Sequence, residues 1–330
     1  MPRTPRPDFL PSVADVRAAA TRIAGAARLT RLLKSEKLSR QAGTPVFLKC
    51  ELEQQTGSFK VRGAFNVLAS LSPEARKRGV VASSAGNHGL GVAFAAHAFG
   101  APAMLFLPST APEVKKSGIA ALGATINDEE PDYDAAMVRA KAHGAEHGIP
   151  FINPCLGFEL LAGQGTTALE VLEQCPDVAT LVICTGGGGL LGGMGAVLRE
   201  IAPHVRVVGA QSVRTAAMSR SVTAGQVVHI DSESTLADGL AGQIDEDALA
   251  IGQYCADEIV TVTEEELGET IAWLWRVEGL KAEGAGAVAV AALRHGKVAS
   301  LPGPVVAIVS GGNIDDARHA AQLNAYPNAG

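Results

Sequence analysis

A single lysine, Lys60, stands in the stretch Thr56-Gly57-Ser58-Phe59-Lys60-Val61-Arg62-Gly63-Ala64, between a glycine turn and an apolar run with helical spacing (Phe65, Val67, Leu68, Leu71). The spacing predicts Ser58 as the cap of that helix, its hydroxyl accepting from an N–H of the first turn. Lys60 then opens the helix, where the macrodipole disfavours an ammonium by up to ~1 kcal/mol. An amine whose charge is unwelcome deprotonates more readily, which is what a nucleophile needs. A surface lysine that happens to start a helix would read the same way, so the choice rests on the remaining stretches.

Ile183-Cys184-Thr185-Gly186-Gly187-Gly188-Gly189-Leu190-Leu191-Gly192 is a glycine loop between an apolar run and a helical one. Glycines let backbone N–H groups approach a phosphate, and a helix N-terminus aligns them. No lysine follows in the spacing of a nucleoside triphosphate loop. Gly187, Gly189 and Gly192 satisfy G-x-G-x-x-G, but the next strand ends at Gln211 rather than at the acid a dinucleotide ribose would want. A phosphate monoester cradle is the better reading, a packing turn the plainer one. Ser83-Ser84-Ala85-Gly86-Asn87-His88-Gly89 is a second strand-to-helix turn. Its free N–H groups could hold a carboxylate, and Asn87 could bond a phenolic or carbonyl oxygen; an ordinary cap is the alternative. Ser310-Gly311-Gly312-Asn313 follows the last apolar run, and Glu283 in Lys281-Ala282-Glu283-Gly284-Ala285-Gly286-Ala287 is either a first-turn acid or something more. The chain shows no H-E-x-x-H, no Cys/His cluster of metal spacing and no G-x-S-x-G, so no metal is expected. A lysine, a phosphate cradle, an asparagine at a helix start and a serine at a strand end are together what pyridoxal 5'-phosphate (PLP) needs.

The elements that must position these residues alternate. A helix is predicted over 12–25, capped by Ser12, then a strand over 45–52 and the Lys60 helix, ending at Ser72-Pro73. Strands over 80–84, 103–107, 124–127 and 151–152 interleave with helices over 87–99, 112–122 and 132–147. Beyond Pro154, helices over 159–174, 190–201, 213–224, 246–255, 264–278 and 284–295 alternate with strands over 180–185, 205–210, 258–263 and 305–309; the tail after Arg318 reads as a loose end. This pattern predicts an α/β protein of mostly parallel twisted sheets with helices on both faces. Two domains are expected, a large one from residues 1–73 and 154–330 and a small one from 74–153. Ser84, Thr185 and Ser310 all fall at carboxyl ends of predicted strands, where ligands of open parallel sheets bind.

Composition narrows the setting. The chain is 47% hydrophobic, carries 37 glycines and has a net charge of −6 with no basic run, which argues against nucleic acid as a partner. No apolar stretch approaches the roughly 18 residues of a membrane span, and no signal peptide is read at the N-terminus. Five widely spaced cysteines (Cys50, Cys155, Cys175, Cys184, Cys255) read as reduced thiols of a cytoplasmic protein.

The motifs TGSFKVRGA, SAGNHG, AGQGT (162–166), TGGGGL, ADGLAG (237–242), EGAGA and SGGNID, in that order over residues 12–318, resemble the fold-type II PLP enzymes. The likeness is to the serine/threonine dehydratase and serine racemase group, with a tryptophan synthase β-subunit-like fold. The resemblance implies Lys60 as the Schiff-base lysine, Phe59 packing beside the ring and Asn87 at its phenolic oxygen. It implies Gly186, Gly187, Gly188, Gly189 and Leu190 around the phosphate, and Ser310 at the pyridine nitrogen. It further implies that the turn Ser84, Ala85, Gly86, Asn87, His88 takes the substrate carboxylate. Racemases of the group carry a serine where this chain has Ala85, and their metal positions are here Gln211 and Ala217. The implied reaction is therefore β-elimination of water from a β-hydroxy-α-amino acid such as L-threonine or L-serine, giving a 2-oxo acid and ammonia in a homodimeric enzyme. A regulatory C-terminal domain is expected to be lacking. Related hydroxy amino acids (3-hydroxyaspartate, a phenylserine, a hydroxyectoine-derived compound), a racemase or synthase, an NAD-dependent oxidoreductase and an idle PLP-binding protein are the alternatives.

Overall fold

The computed structural model describes residues 4–231 and 233–330. Its strands are β1 (Leu32–Lys34), β2 (Val46–Lys49), β3 (Val80–Ser83), β4 (Ala103–Pro108), β5 (Thr125–Glu130), β6 (Thr180–Cys184), β7 (Arg206–Ser212), β8 (Glu258–Val262) and β9 (Val305–Ile308). Its α-helices are α1 (Val13–Ile23), α2 (Glu36–Ala42), α3 (Lys60–Ser70), α4 (Pro73–Arg78), α5 (Asn87–Phe99), α6 (Glu113–Ala120) and α7 (Tyr133–His147). They continue with α8 (Phe158–Gln174), α9 (Gly189–Ile201), α10 (Ala217–Ala224), α11 (Glu246–Cys255), α12 (Glu264–Glu278), α13 (Gly284–Arg294) and α14 (Asp316–Ala325).

Six strands form one sheet in the order β1-β2-β9-β6-β7-β8, and three form another in the order β3-β4-β5. Every pairing is parallel except β1 with β2. Parallel strands are covered on both faces and so read as unbroken apolar runs. β6 and β9 show this: all their residues are buried. The larger sheet carries the main core, while a second core gathers the small sheet with Ala64 and Leu68 of α3 and Leu160 of α8. Phe59, one residue before α3, belongs to the main core. Lys60 therefore starts a helix that leaves one core and enters the other. No described helix is long and apolar enough to cross a membrane.

The structure departs from the sequence reading in particular places. β1, α2 and α4 were not anticipated; they are short, and α2 and α4 are carried by caps (Ser35 for α2, Ser72 with Pro73 for α4) more than by periodicity. The expected helix over 213–224 is a 3-10 turn, Val213–Thr215, followed by α10. The expected strand over 151–152 is a single bridge from Phe151 to Val81. The tail after Arg318 is not loose. It continues α14, capped by Asp315, whose His319 meets the edge of Trp275 at 5.5 Å, while Arg276 donates to the carbonyls of Leu323 and Tyr326. Ser58 does not cap α3. Phe59 occupies the cap position without a side-chain bond, and the Ser58 hydroxyl is buried without a partner among the described residues. Ser58 instead bridges to Gly311, which pulls it out of reach of the helix start.

What holds the start of α3 is Arg62. Its guanidinium is 1% exposed and forks onto Glu51 (Nε–Oε2 and Nη2–Oε1, both 2.8 Å) and onto Glu170 of α8 (2.6 and 2.8 Å). Lys49 of β2 joins the same Glu170 at 2.5 Å, and Thr30 donates to Glu51 at 2.6 Å. Burial opposes the charge of Glu51, yet the Arg62 guanidinium holds its carboxyl below the usual range. Removing one partner of such a buried group leaves the others uncompensated, a loss of about 3–5 kcal/mol. Arg62→Ala is expected to fall in that range by urea unfolding, with Arg62→Lys recovering part of it. A loss within the ~0.5 kcal/mol of an ordinary surface change would show that the network does not anchor the helix.

Candidate active site

The carboxyl ends of β3, β6 and β9 open on one cleft of about 580 Å³ between the two sheets. It is lined by Phe59 and Lys60, by the turn Ser84, Ala85, Gly86, Asn87 and His88, by the loop Gly186, Gly187, Gly188, Gly189 and Leu190, and by Ser310. The sequence-predicted residues are thus brought together without exception.

Lys60 projects from the first position of α3, and its Nζ donates to the Pro154 carbonyl at 2.6 Å, 5.3 Å from the centre of the buried Phe59 ring. The segment before it is sewn to the end of β9: the Phe59 N–H donates to the Ser310 carbonyl at 3.1 Å and the Gly312 N–H to that of Gly57 at 2.9 Å. Lys60 and Ser310 consequently face the cleft as a unit. The Ser310 hydroxyl is buried, 3.4 Å from the Ala285 carbonyl, and can donate or accept toward a ligand nitrogen.

The glycine loop ends at Gly188, whose φ of +89° favours glycine and which starts α9 with no side-chain cap. The first intrahelical bond runs from the Gly192 N–H to the Gly188 carbonyl. The N–H groups of Gly189, Leu190 and Leu191 are therefore the free donors every helix start leaves over. A Cβ on Gly187 would lie 2.7 Å from the Cys155 sulfur, so the loop must lack side chains to lie against that wall. Across the cleft, Gly86 holds the cap position of α5, also without a side-chain cap, and its N–H donates to the Ser84 hydroxyl at 3.1 Å. Two uncapped helix starts that share one cleft with an amine suit a ligand with an anion at each end and a carbonyl between. A phosphate at α9 and a carboxylate at α5, with an aldehyde at Lys60, is the set that PLP and an amino acid bring, so the residues fit this cofactor.

Burial settles the remaining titratable groups. The His88 ring is buried with Nε2 3.0 Å from the Ile152 carbonyl, so Nε2 carries the proton and donates. Burial first and the Lys60 charge second push its pKa down to about 3. His88 is thus a neutral prop under the turn, and the turn presents its backbone to the cleft. Burial pushes the Cys184 thiol up to about 11 and those of Cys50 and Cys255 up to about 12, so they are poor nucleophiles, while Cys155 is half-buried on the cleft wall.

Sequence reasoning assigned no role to Pro154, Cys155 or Asn313, and left Glu283 open. Asn313 was visible within the last glycine motif, whereas nothing in the sequence marked the Pro154 carbonyl as the partner of Lys60. One group was passed over altogether. His143, Glu146 and His147, at i, i+3 and i+4 on the last turns of α7, put their ligand atoms within 4.8 Å of one another, outside the cleft and largely exposed.

The depressed His88 pKa has a signed consequence. His88 takes up a proton readily below about 6.5 in the unfolded chain but only near 3 in the fold, so stability present above 6.5 is lost as pH falls. The loss approaches ~1.4 kcal/mol per pH unit in that window. His88→Gln, which keeps a donor for Ile152, is expected to flatten this limb in urea unfolding between pH 6.5 and 4. An unchanged slope would show that His88 titrates normally.

The chain is similar in sequence and fold to known proteins. The chain is 39% identical over 289 residues to L-threonine ammonia-lyase of Geobacter sulfurreducens, covering 87% of this chain and 72% of that one. It is 40% identical over 302 residues to L-threonine ammonia-lyase of Thermotoga maritima, covering 91% and 75%. Its fold superposes on maize serine racemase with a TM-score of 0.90 at 29% identity, over 95% and 97% of the two chains. Residues 23–311 match the family of pyridoxal-phosphate dependent enzymes, and the chain that places Lys60 between two open helix starts belongs to it.

Proposed function

We propose that this chain is an ammonia-lyase that removes water from a β-hydroxy-α-amino acid such as L-threonine or L-serine and releases a 2-oxo acid and ammonia. The observation that carries the reading is the cleft's acid–base inventory beside Lys60. Ala85 has no proton to exchange, His88 is held neutral against Ile152, and Ser310 is an uncharged hydroxyl. The sequence likeness to two L-threonine ammonia-lyases supports the same choice.

Bound PLP supplies an aldehyde carbon for amines and a ring that withdraws electrons from the substrate's Cα. The chain's residues do the rest. The start of α9 would hold the phosphate and the start of α5 the substrate carboxylate, and Asn87 and Ser310 would orient the ring between them. The Lys60 amine would take the Cα proton, and the ammonium so formed would return a proton to the departing β-hydroxyl, which leaves as water. The released enamine becomes an imine and hydrolyses to the 2-oxo acid and ammonia. A neutral Ser310 beside the pyridine nitrogen would not hold a proton there as an aspartate would, a weaker electron sink that would favour prompt elimination. With Ala85 at its position, the turn offers no side-chain acid–base group there to return a proton to the other side of Cα.

The units that close on the substrate are, in this reading, residues 74–153 against residues 1–73 and 154–330. We take the enzyme as a cytoplasmic homodimer.

Two outcomes are expected. Lys60→Ala leaves no covalent cofactor after borohydride reduction, by mass spectrometry, and loses the base, a role worth about 10²–10⁴ in rate. With L-serine, 2-oxo acid forms at least about tenfold faster than D-serine, a barrier difference of ~1.4 kcal/mol; equal rates by chiral chromatography would reverse the assignment to racemase. A stable adduct at another lysine would remove Lys60 from its role.

A further inference from the structure

Glu283 stands at the cap position of α13, where a carboxylate would ordinarily bond the helix's own N–H groups, yet its side chain makes no capping bond. It turns into the cleft, 7% exposed, and accepts from Asn87 Nδ2 at 2.5 Å. The other end of that amide is also held. Asn313 Nδ2 donates to Asn87 Oδ1 at 2.6 Å and to the Thr56 carbonyl at 2.8 Å. Gly311 makes room for the carboxylate, since a Cβ there would lie 2.2 Å from its Oε1. Reversing the Asn87 amide would set its oxygen against the carboxylate and its NH₂ against that of Asn313, so only one orientation is satisfied.

We propose that Glu283 is a positioning residue which, through Asn87, aims the amide hydrogen offered to the phenolic oxygen of the cofactor. The inference rests on the PLP reading of the site. One of the two Nδ2 hydrogens is spent on Glu283, and the second is thereby pointed to a fixed place. A protonated Glu283 can donate rather than accept, and the amide then loses its lock. Burial, first among the causes, raises the Glu283 pKa to about 7 against the bond from Asn87. Asp238, on the turn before Gly239, raises it further, while Lys115 of α6 and the Asn313 N–H lower it. Lys60 and Cys184 line the same cleft. The lock is accordingly set in the neutral range.

The test reconstitutes the full chain with PLP and follows cofactor affinity and the visible absorbance of the bound cofactor from pH 5.5 to 9. The wild type is expected to show a step near pH 7. Glu283→Gln is expected to lose that step and to bind PLP about three- to tenfold more weakly, the equivalent of one hydrogen bond. Folding is checked on the apoprotein. A buried carboxyl whose folded pKa lies above the unfolded value near 4.5 contributes stability below that value and loses it as pH rises through about 7. The melting temperature of Glu283→Gln should therefore gain on wild type between pH 5 and pH 8.5. If Glu283→Gln does not fold, Asn313→Ala removes the other tether of Asn87 and is expected to weaken PLP likewise; unchanged affinity there overturns the proposal. Retention of both step and affinity in Glu283→Gln overturns it alone, whereas a wild type that takes up no PLP overturns the parent reading and this inference with it.

Discussion

The guanidinium of Arg62, enclosed between Glu51 and Glu170, is the interaction on which the geometry of the cleft depends. Ions taken from water cost several kcal/mol each unless every charge is met, and here Lys49, Thr30 and Thr166 complete the set. Such a group adds little net stability over apolar packing of the same volume. Its effect is on register: shifting α3 by one residue would withdraw the fork from both carboxylates. Lys60 lies two positions earlier in the same first turn, so the group that excludes other registers also determines where the amine points.

A second constraint is electrostatic. α1, α2, α4, α7, α11, α12 and α14 begin with a Ser, Thr or Asp side chain bonded to their first turn. α3, α5, α9 and α13, whose starts border the cleft, have no such bond, as is also true of α6, α8 and α10. A side-chain cap would satisfy the leftover N–H donors and blunt the positive end of the dipole. Leaving the starts of α5 and α9 uncapped keeps those donors free for anions even in a chain of net charge −6. The parallel sheets are what bring these starts together, because each strand delivers its following helix at the same edge.

Burial then decides which groups can exchange protons. The same loss of water that lowers His88 raises Cys184 and Glu283. One result is a cleft in which a neutral imidazole and a protonated thiol lie with the Lys60 amine. Another is the Glu283 carboxyl, which burial holds above the usual carboxylate range where it lines the cleft against Asn87.

Much of this was legible in the chain itself. Alternating apolar runs and caps placed most strands and helices to within a few residues, and α5 over residues 87–99 to the residue. The glycine motifs and Lys60 named the cleft's lining, because loops that approach a ligand closely need residue types that few other positions require. Short elements such as β1 and α4 escaped, since three to six residues carry too little periodicity. The helix after Arg318 escaped because its stability lies in contacts with α12. What the tertiary structure alone decided is which polar atoms face one another. Lys60 and Pro154 are 94 residues apart, and Asn87 and Glu283 are 196 apart. Local propensity acts over a turn or two of chain, whereas these pairings arise only when the two sheets close on each other and burial leaves each donor a single acceptor within reach.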